Sequence, residues 1–193
     1  MSKPASIILA SASPRRKNLL NQIGIEFSIR PSNINEDLKL ALPPEAFTEH
    51  WAREKALNVS KNHPGSLIIG ADTVVVLDGQ ILGKPKDEND SKEMLLKLSG
   101  KTHEVITGVS FIHIDSKIDI TFNERTYVSI KALTVSDILQ YIRIYKPHDK
   151  AGSYGIQDGF SVHIDKINGC YYNVMGLPVS KFYSNYSEIV GNQ

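Results

Sequence analysis

Two adjacent arginines follow a serine-rich turn near the start of the chain, in the order Ser11-Ala12-Ser13-Pro14-Arg15-Arg16. Ser13 suits the N-cap of a helix, because its hydroxyl can accept a hydrogen bond from a free N–H of the first turn. Pro14 suits the first helical position, where a missing N–H costs nothing. Free N–H groups, hydroxyls and guanidiniums at a helix N-terminus favour an anion, most naturally a phosphate. A capped surface helix with solvated arginines is the alternative that this segment leaves open.

A lone carboxylate, Asp72, interrupts a long apolar run from Leu67 to Leu77. Burying an unpaired acid is unfavourable, so we expect Asp72 at a strand end, facing a cleft beside cations or a metal. Acids in such surroundings cluster at functional sites. The alternative is a turn or cap aspartate that joins two separate strands.

Three further charged residues are candidates for the same cleft. Lys55 follows Trp51 by one helical turn, so it lies at the edge of an apolar helix face and either points into a cleft or extends to water. Pro85 fixes the backbone beside Lys84 and directs that amine, unless the segment is a solvated loop. Glu36 suits a hard divalent ion through its oxygens, or belongs to an ordinary acidic loop.

The composition limits the classes of partner. Lys and Arg number 22 against 21 Asp and Glu, a net charge of +1 with no block of like charge, which disfavours a nucleic-acid partner. The single cysteine, Cys170, excludes an intrachain disulfide framework and suits a reducing cytosol. No secretory signal pattern is present, and no apolar stretch approaches the ~20 residues of a membrane span. We therefore expect one soluble cytoplasmic domain over residues 1–193.

Hydrophobic periodicity and turn residues predict the elements that position these side chains. Predicted helices cover Pro14–Ile23, Pro44–Asn62, Glu88–Leu98, Val135–Tyr145 and Pro178–Tyr186. Predicted strands cover Ile7–Leu9, Glu26–Arg30, Leu67–Leu77, Gln80–Leu82, Glu104–His113, Lys117–Lys131, Ser161–Ile167 and Cys170–Met175.

Two dipeptides between strand pairs, Asp78-Gly79 and Asn168-Gly169, favour type I′ turns and predict tight hairpins. Alternating strands and helices with hairpins between them indicate an α/β fold with a mixed sheet. The glycine-rich segment from Asp149 to Gly155 is a hinge or one wall of a cleft.

Together these segments resemble the Maf family of nucleotide pyrophosphatases over nearly the whole chain. The resemblance is carried by Leu9-Ala10-Ser11-Ala12-Ser13-Pro14-Arg15-Arg16, Ala52-Arg53-Glu54-Lys55-Ala56, Gly70-Ala71-Asp72-Thr73-Val74-Val75, Lys84-Pro85, Leu98-Ser99-Gly100-Lys101-Thr102-His103, Thr107-Gly108-Val109, Asp149-Lys150-Ala151-Gly152-Ser153-Tyr154-Gly155-Ile156-Gln157, Ile167-Asn168-Gly169 and Val174-Met175-Gly176-Leu177-Pro178.

The resemblance implies a mixed twisted sheet with flanking helices in two lobes around a central cleft, related to the inosine triphosphate pyrophosphatase architecture. It implies hydrolysis of a nucleoside triphosphate to the monophosphate and pyrophosphate by a homodimer. We expect a divalent cation, Mg²⁺ or Mn²⁺, to bridge the phosphate oxygens. The family's proposed role is the removal of surplus or unusual nucleotides, with a link to septum formation and division arrest.

The resemblance also assigns roles to single residues. Asp72 matches the proton acceptor, and Glu36 matches another cleft position. Because carboxylate oxygens suit a hard divalent ion, we expect Asp72 and Glu36 to be the metal ligands. Arg15, Thr73 and Gln157 match the positions that mark the branch acting on dTTP and UTP, as distinct from the 7-methyl-GTP branch. The remaining cleft positions match Ser11, Arg16, Lys55 and Lys84. Gly83 departs from members that carry a glutamate before Lys-Pro, so an acidic role at that position is absent here.

Two other functions remain open at this point: a nucleotide-sensing regulator of cell division without turnover, and a purine pyrophosphatase acting on ITP or XTP. A carboxylate among so many cations argues against pure phosphate binding, which gains nothing from an added acid. Every catalytic interpretation requires that Arg15, Arg16 and Asp72 share one pocket.

Overall fold

The computed structural model describes residues 4–37 and 40–191. Within them the strands are β1 (Ser6–Leu9), β2 (Ser28–Ile29), β3 (Ser66–Leu77), β4 (Gln80–Leu82), β5 (Thr102–His113), β6 (Ile118–Ile130) and β7 (Ile164–Asn168). The α-helices are α1 (Pro14–Gln22), α2 (Pro44–Ser60), α3 (Glu88–Leu98), α4 (Val135–Tyr145), α5 (Tyr171–Met175) and α6 (Val179–Gly191).

The strands form one mixed sheet in the order β2-β1-β3-β5-β6-β7, with β4 paired to β3. β1 runs parallel to β2 and β3, whereas the pairs among β3, β4, β5, β6 and β7 are antiparallel. The predicted α/β class with a mixed sheet and flanking helices is therefore confirmed.

An opening interrupts one edge of β3. On that edge β1 pairs only as far as Ile69, opposite Leu9, and the pairing with β4 starts at Val75, opposite Leu82. β5 covers the other edge without interruption from Ile68 to Val76. Residues 70–74 consequently have a strand partner on one side only, within the part of the chain that the structure describes.

Apolar clusters occupy both ends of one face of β3. Leu67, Ile69 and Ala71 pack in one cluster with α1 and α6, and Val75 and Leu77 pack in another with α3 and α4. Met175 touches both clusters. These two packed regions, with the opening in β3 between them, correspond to the expected lobes and cleft.

Helix α2 covers the opposite face of the sheet at close range. A Cβ on Gly70 of β3 would overlap the Ala52 carbonyl oxygen, and one on Gly108 of β5 would overlap Thr48. Phe47 and Trp51 pack near Val74 and Val76 of β3. The two glycines therefore let α2 lie directly on β3, which carries Asp72, and on the neighbouring β5.

The first predicted hairpin is confirmed, since Asp78 and Gly79 have φ values of +50° and +77° between β3 and β4. The second, at Asn168-Gly169, is wrong, and so is the strand predicted for Cys170–Met175, because this segment forms helix α5. Long-range hydrogen bonds decide its conformation: Cys170 N donates to Thr126 Oγ1, and Asn173 Nδ2 donates to Val105 O.

Smaller differences affect element ends. The strand predicted for Glu26–Arg30 is limited to β2, and Ser161–Ile167 begins later, because a 3-10 turn occupies Gly159–His163. None of the helices in the described ranges is long and apolar enough to cross a membrane.

Candidate active site

The opening in β3 leads into a cleft of about 650 Å³, a volume typical of sites for small organic ligands. The N-terminus of α1, the turn after β4 and the loop 149–157 form its walls, together with the middle of β3. All nine site residues expected from the sequence line this cleft: Ser11, Arg15, Arg16, Glu36, Lys55, Asp72, Thr73, Lys84 and Gln157.

The N-terminus of α1 is built as its sequence predicts. Ser13 caps the helix by accepting from Arg16 N at 3.4 Å, and Ser13 N donates to Ser11 Oγ at 3.2 Å. Pro14 occupies the first helical turn. The start of the helix thus faces the cleft with its positive dipole end, which favours an anionic ligand.

Arg16 is buried and fixed by three groups. Its Nε donates to Gly176 O at 2.8 Å, Nη1 to Ser11 Oγ at 3.0 Å and Nη2 to Thr73 Oγ1 at 2.9 Å. Burial is the main effect that lowers its pKa, but a guanidinium stays charged in proteins. Arg16 therefore contributes a positive charge at a fixed position and ties α1 to β3.

Asp72 lines the cleft from the face of β3 that α2 covers, and it is only 6% exposed. Lys55 Nζ contacts Asp72 Oδ1 at 2.7 Å and Glu36 Oε1 at 3.0 Å, so one ammonium joins two carboxylates. Of the two alternatives left open for Lys55, the structure has the one in which its side chain points into the cleft, where it lies beside Asp72. Asp72 lies within a continuous strand, not at a strand end, and the opening beside β3 gives it access to the cleft.

The mouth of the cleft carries exposed polar groups. Lys84 and Gln157 are both exposed there. Arg15 Nη1 donates to Asp149 Oδ2 at 3.1 Å, and Lys150 Nζ donates to Asp149 Oδ1 at 2.7 Å. The Arg15–Asp149 contact thus links the α1 wall of the cleft to the wall formed by the loop 149–157. Asp149 and Lys150 lie in a segment that carries the family resemblance, but nothing in their spacing indicated a site role.

The loop 149–157 is a wall of the cleft, held by buried hydrogen bonds. Tyr154 Oη contacts His103 Nε2 at 2.7 Å, and Ser153 Oγ contacts Ser91 Oγ of α3. Burial lowers the pKa of His103 to about 4, so this imidazole is neutral at pH 7. Gly152, at φ +68°, packs against Val75, where a Cβ would lie 2.8 Å from Val75 Cγ2.

The acidic groups provide limited metal-binding capacity. Within residues 4–37 and 40–191, no group of three or more His, Cys, Asp or Glu side chains is arranged to hold a metal ion. Asp72 and Glu36 are two carboxylates that share Lys55. Mg²⁺ is commonly held by one or two carboxylates together with substrate phosphates. These residues therefore fit a divalent ion that a triphosphate helps to coordinate.

A protein-family model described as "Maf-like protein" matches residues 6–189. The dTTP/UTP pyrophosphatase of Agathobacter rectalis is 48% identical, over 93% of this chain and 95% of the relative. The dTTP/UTP pyrophosphatase of Ruminiclostridium cellulolyticum is 45% identical, over 91% of this chain and 92% of the relative.

Among solved structures, a HAM1 protein from Coxiella burnetii matches with a TM-score of 0.46 and 15% identity, over 64% of this chain and 72% of that one. The family model and the close relatives both span nearly the whole sequence. The chain therefore belongs to the Maf family.

Proposed function

We propose that this chain is a nucleoside triphosphate pyrophosphatase that hydrolyses dTTP and UTP to the monophosphate and pyrophosphate. The observation that carries the proposal is the placement of Asp72 beside Lys55 in the same cleft as Arg15, Arg16 and the α1 N-terminus. The names of relatives at 45–48% identity, which share more than nine tenths of the chain, support the same activity.

Charge in the cleft favours a polyphosphate. Five cationic side chains and three carboxylates line it, a net charge of +2: Arg15, Arg16, Lys55, Lys84 and Lys150 against Glu36, Asp72 and Asp149. Charge-assisted hydrogen bonds from guanidinium and ammonium groups are the strong ones for phosphate oxygens. The exposed amines at the mouth, with the α1 N-terminus, would hold the phosphates beside Asp72.

Asp72 would act as the general base. Its carboxylate takes a proton from a water molecule whose oxygen attacks the α-phosphorus, and the bond from that phosphorus to the bridging oxygen breaks as pyrophosphate leaves. Lys55, at 2.7 Å, fixes the carboxylate orientation and offsets its charge next to the incoming phosphates. Asp72 and Glu36 would hold Mg²⁺ or Mn²⁺, which when bound neutralises phosphate charge and acidifies coordinated water.

Gln157 would read the pyrimidine edge from the mouth, because an amide supplies both a donor and an acceptor. Arg15 and Thr73 occupy the other two positions that the resemblance associates with dTTP and UTP. The single domain, the homodimer, the cytoplasmic location and the absence of a nucleic-acid partner stay predictions; the near-neutral charge supports the last of them.

The decisive experiment measures pyrophosphate release from dTTP, UTP, CTP, GTP and ITP, with and without Mg²⁺ or Mn²⁺. We expect dTTP and UTP to lead, and Asp72→Asn to lower their turnover by at least ~10² because the base is lost. Asp78→Asn is the matched control, since Asp78 lies in the exposed turn after β3. Binding without turnover would favour the nucleotide sensor, and preference for ITP would favour the purine enzyme. Normal turnover by Asp72→Asn would exclude the assigned base.

A further inference from the structure

A chain of hydroxyl groups runs from the cleft into the protein behind Thr73. Thr73 Oγ1 lies 3.0 Å from Thr107 Oγ1, its direct neighbour on β5, and Thr107 Oγ1 donates to Asn173 O at 3.1 Å. Thr107 is fully buried. On the other side, Arg16 Nη2 donates to Thr73 Oγ1 at 2.9 Å.

The order of donors in this chain is fixed. A hydroxyl has one proton and two lone pairs. Asn173 O is a carbonyl oxygen and can only accept, so the Thr107 hydroxyl donates its proton to it. Thr107 can then only accept a hydrogen bond from Thr73. Thr73 must therefore donate its own proton to Thr107. Because one lone pair of Thr73 is taken by Arg16, a single acceptor site on Thr73 remains.

Thr73 lines the cleft, so its remaining acceptor site is open to a ligand there. Thr73 is the one partly exposed residue of β3, whose other eleven residues are all buried. Because side chains alternate along a strand, Thr73 lies on the opposite face from Asp72, on the same face as Val75. Apart from the Arg16 guanidinium that donates to Thr73, this part of the cleft has an apolar lining of Val75, Val105 and Met175, in contrast to the carboxylates and ammonium around Asp72. The apolar part suits a flat nucleobase, and the charged part suits the phosphates.

We propose that Thr107 is a positioning residue for base selection: it commits the Thr73 proton inward, so that Thr73 offers the base only an acceptor. Uracil and thymine carry a ring N–H that donates to such an acceptor. Cytosine has a ring nitrogen without a proton at the same position, which is an acceptor. It would therefore face the Thr73 oxygen without a hydrogen bond, and both atoms would be left unpaired. Unpaired buried polar groups discriminate strongly between otherwise similar ligands. The inference rests on the proposed function and deepens it.

The test compares kcat/KM for UTP and CTP in the wild type, Thr107→Val and Thr107→Ser. Valine keeps the shape of threonine but removes the acceptor, which frees the Thr73 proton to turn into the cleft and donate to cytosine. We expect the UTP-to-CTP ratio to fall at least about tenfold in Thr107→Val, as loss of one polar match predicts. Thr107→Ser restores the hydroxyl and retains the wild-type ratio.

Thr48→Val is the matched control, because Thr48 is also fully buried but donates to Glu45 O within α2. It leaves the ratio unchanged. Hydrolysis by Thr107→Val with the wild-type ratio overturns the inference while the proposed function stands. A wild type that hydrolyses neither nucleotide overturns the proposed function, and the inference with it.

A second measurement needs only the wild-type protein and covers the case in which Thr107→Val does not fold. The ring N–H of 5-fluoro-UTP is more acidic than that of UTP, so it is lost at lower pH. We expect kcat/KM for 5-fluoro-UTP to decline at lower pH than kcat/KM for UTP. Coincident pH profiles would show that no ring N–H is used, and would overturn the inference.

Discussion

Replacing Lys55 with methionine removes a cation that contacts both Asp72 and Glu36. The Asp72 contact is 2.7 Å between side chains only 9% and 11% exposed, and breaking such a buried pair costs about 3–5 kcal/mol. The Glu36 contact adds about 0.2–1 kcal/mol, because that carboxylate is 35% exposed and screened by solvent. Methionine keeps the apolar packing of the lysine stem, so the stability lost in this variant measures the effect of removing the charge.

We therefore expect Lys55→Met to lower the free energy of unfolding by about 3–5 kcal/mol. For a domain of this size the lower figure corresponds to a decrease in Tm of about 6–12 °C. Asp72→Asn should cost less than about 2 kcal/mol, because the amide oxygen of the new side chain still accepts from Lys55 and Lys55 keeps Glu36. The double variant should be at least about 1 kcal/mol more stable than Lys55→Met, since it removes the buried charge left without a partner.

Urea denaturation followed by far-UV circular dichroism at neutral pH measures all three variants. Lys84→Met is the control, because Lys84 is exposed in the same cleft and no ion pair to it is found in the described residues. It should remain within about 0.5 kcal/mol of the wild type. A double variant no more stable than Lys55→Met would refute the claim that Asp72 depends on Lys55 for its charge balance.

Two further predictions concern the loop 149–157. Gly152→Ala should lower the free energy of unfolding by about 1–3 kcal/mol and raise KM, because φ is +68° and the new Cβ would clash with Val75. Gly79→Ala is the control: its φ is also positive but its Cβ meets no atom, so KM should stay unchanged. Equal KM values for the two variants would contradict this prediction. The unfolding free energy of the wild type should fall by about 1.5 kcal/mol from pH about 6.5 to 5, because unfolded His103 binds a proton over this range whereas the folded imidazole, with a pKa of about 4, stays neutral. Denaturation at both pH values should show a smaller fall in His103→Gln, and parallel curves would exclude His103 as the cause.

Local signals predicted the parts of the fold in which neighbours in sequence decide the structure. Ser13 and Pro14 start α1, and Thr134 and Asp137 form a capping box at the start of α4. The Asp78-Gly79 turn also follows from its own residues. These features could be predicted because their hydrogen bonds join residues at most three positions apart.

The segment after β7 could not be predicted in this way. Asn168-Gly169 has the composition of a hairpin turn, and the residues after it suit a strand. Asn173, fully buried, instead donates to Val105 and Thr126 from 68 and 47 positions away, and the segment folds into α5. Contacts of that range outweigh local preference, and a single sequence does not display them.

The site residues divide in the same way into those that the sequence reveals and those that depend on distant partners. Asp72 and the arginines could be found because a charged residue at an unusual position is visible in the sequence. The family resemblance added Thr73 and Gln157 as further site residues. Thr107 and Ser91 were missed, because a buried serine or threonine looks like any other until its partner is known. Their partners, Thr73 and Ser153, lie 34 and 62 positions away.

The interrupted edge of β3 places two consecutive residues, Asp72 and Thr73, on opposite sides of the sheet within one opening. Under the proposed function, a substitution at residue 73 would alter contacts with the base without moving Asp72, which lies on the other face. Because Thr73 also binds Arg16 and Thr107, such a change of nucleotide preference would require new partners for both of these side chains.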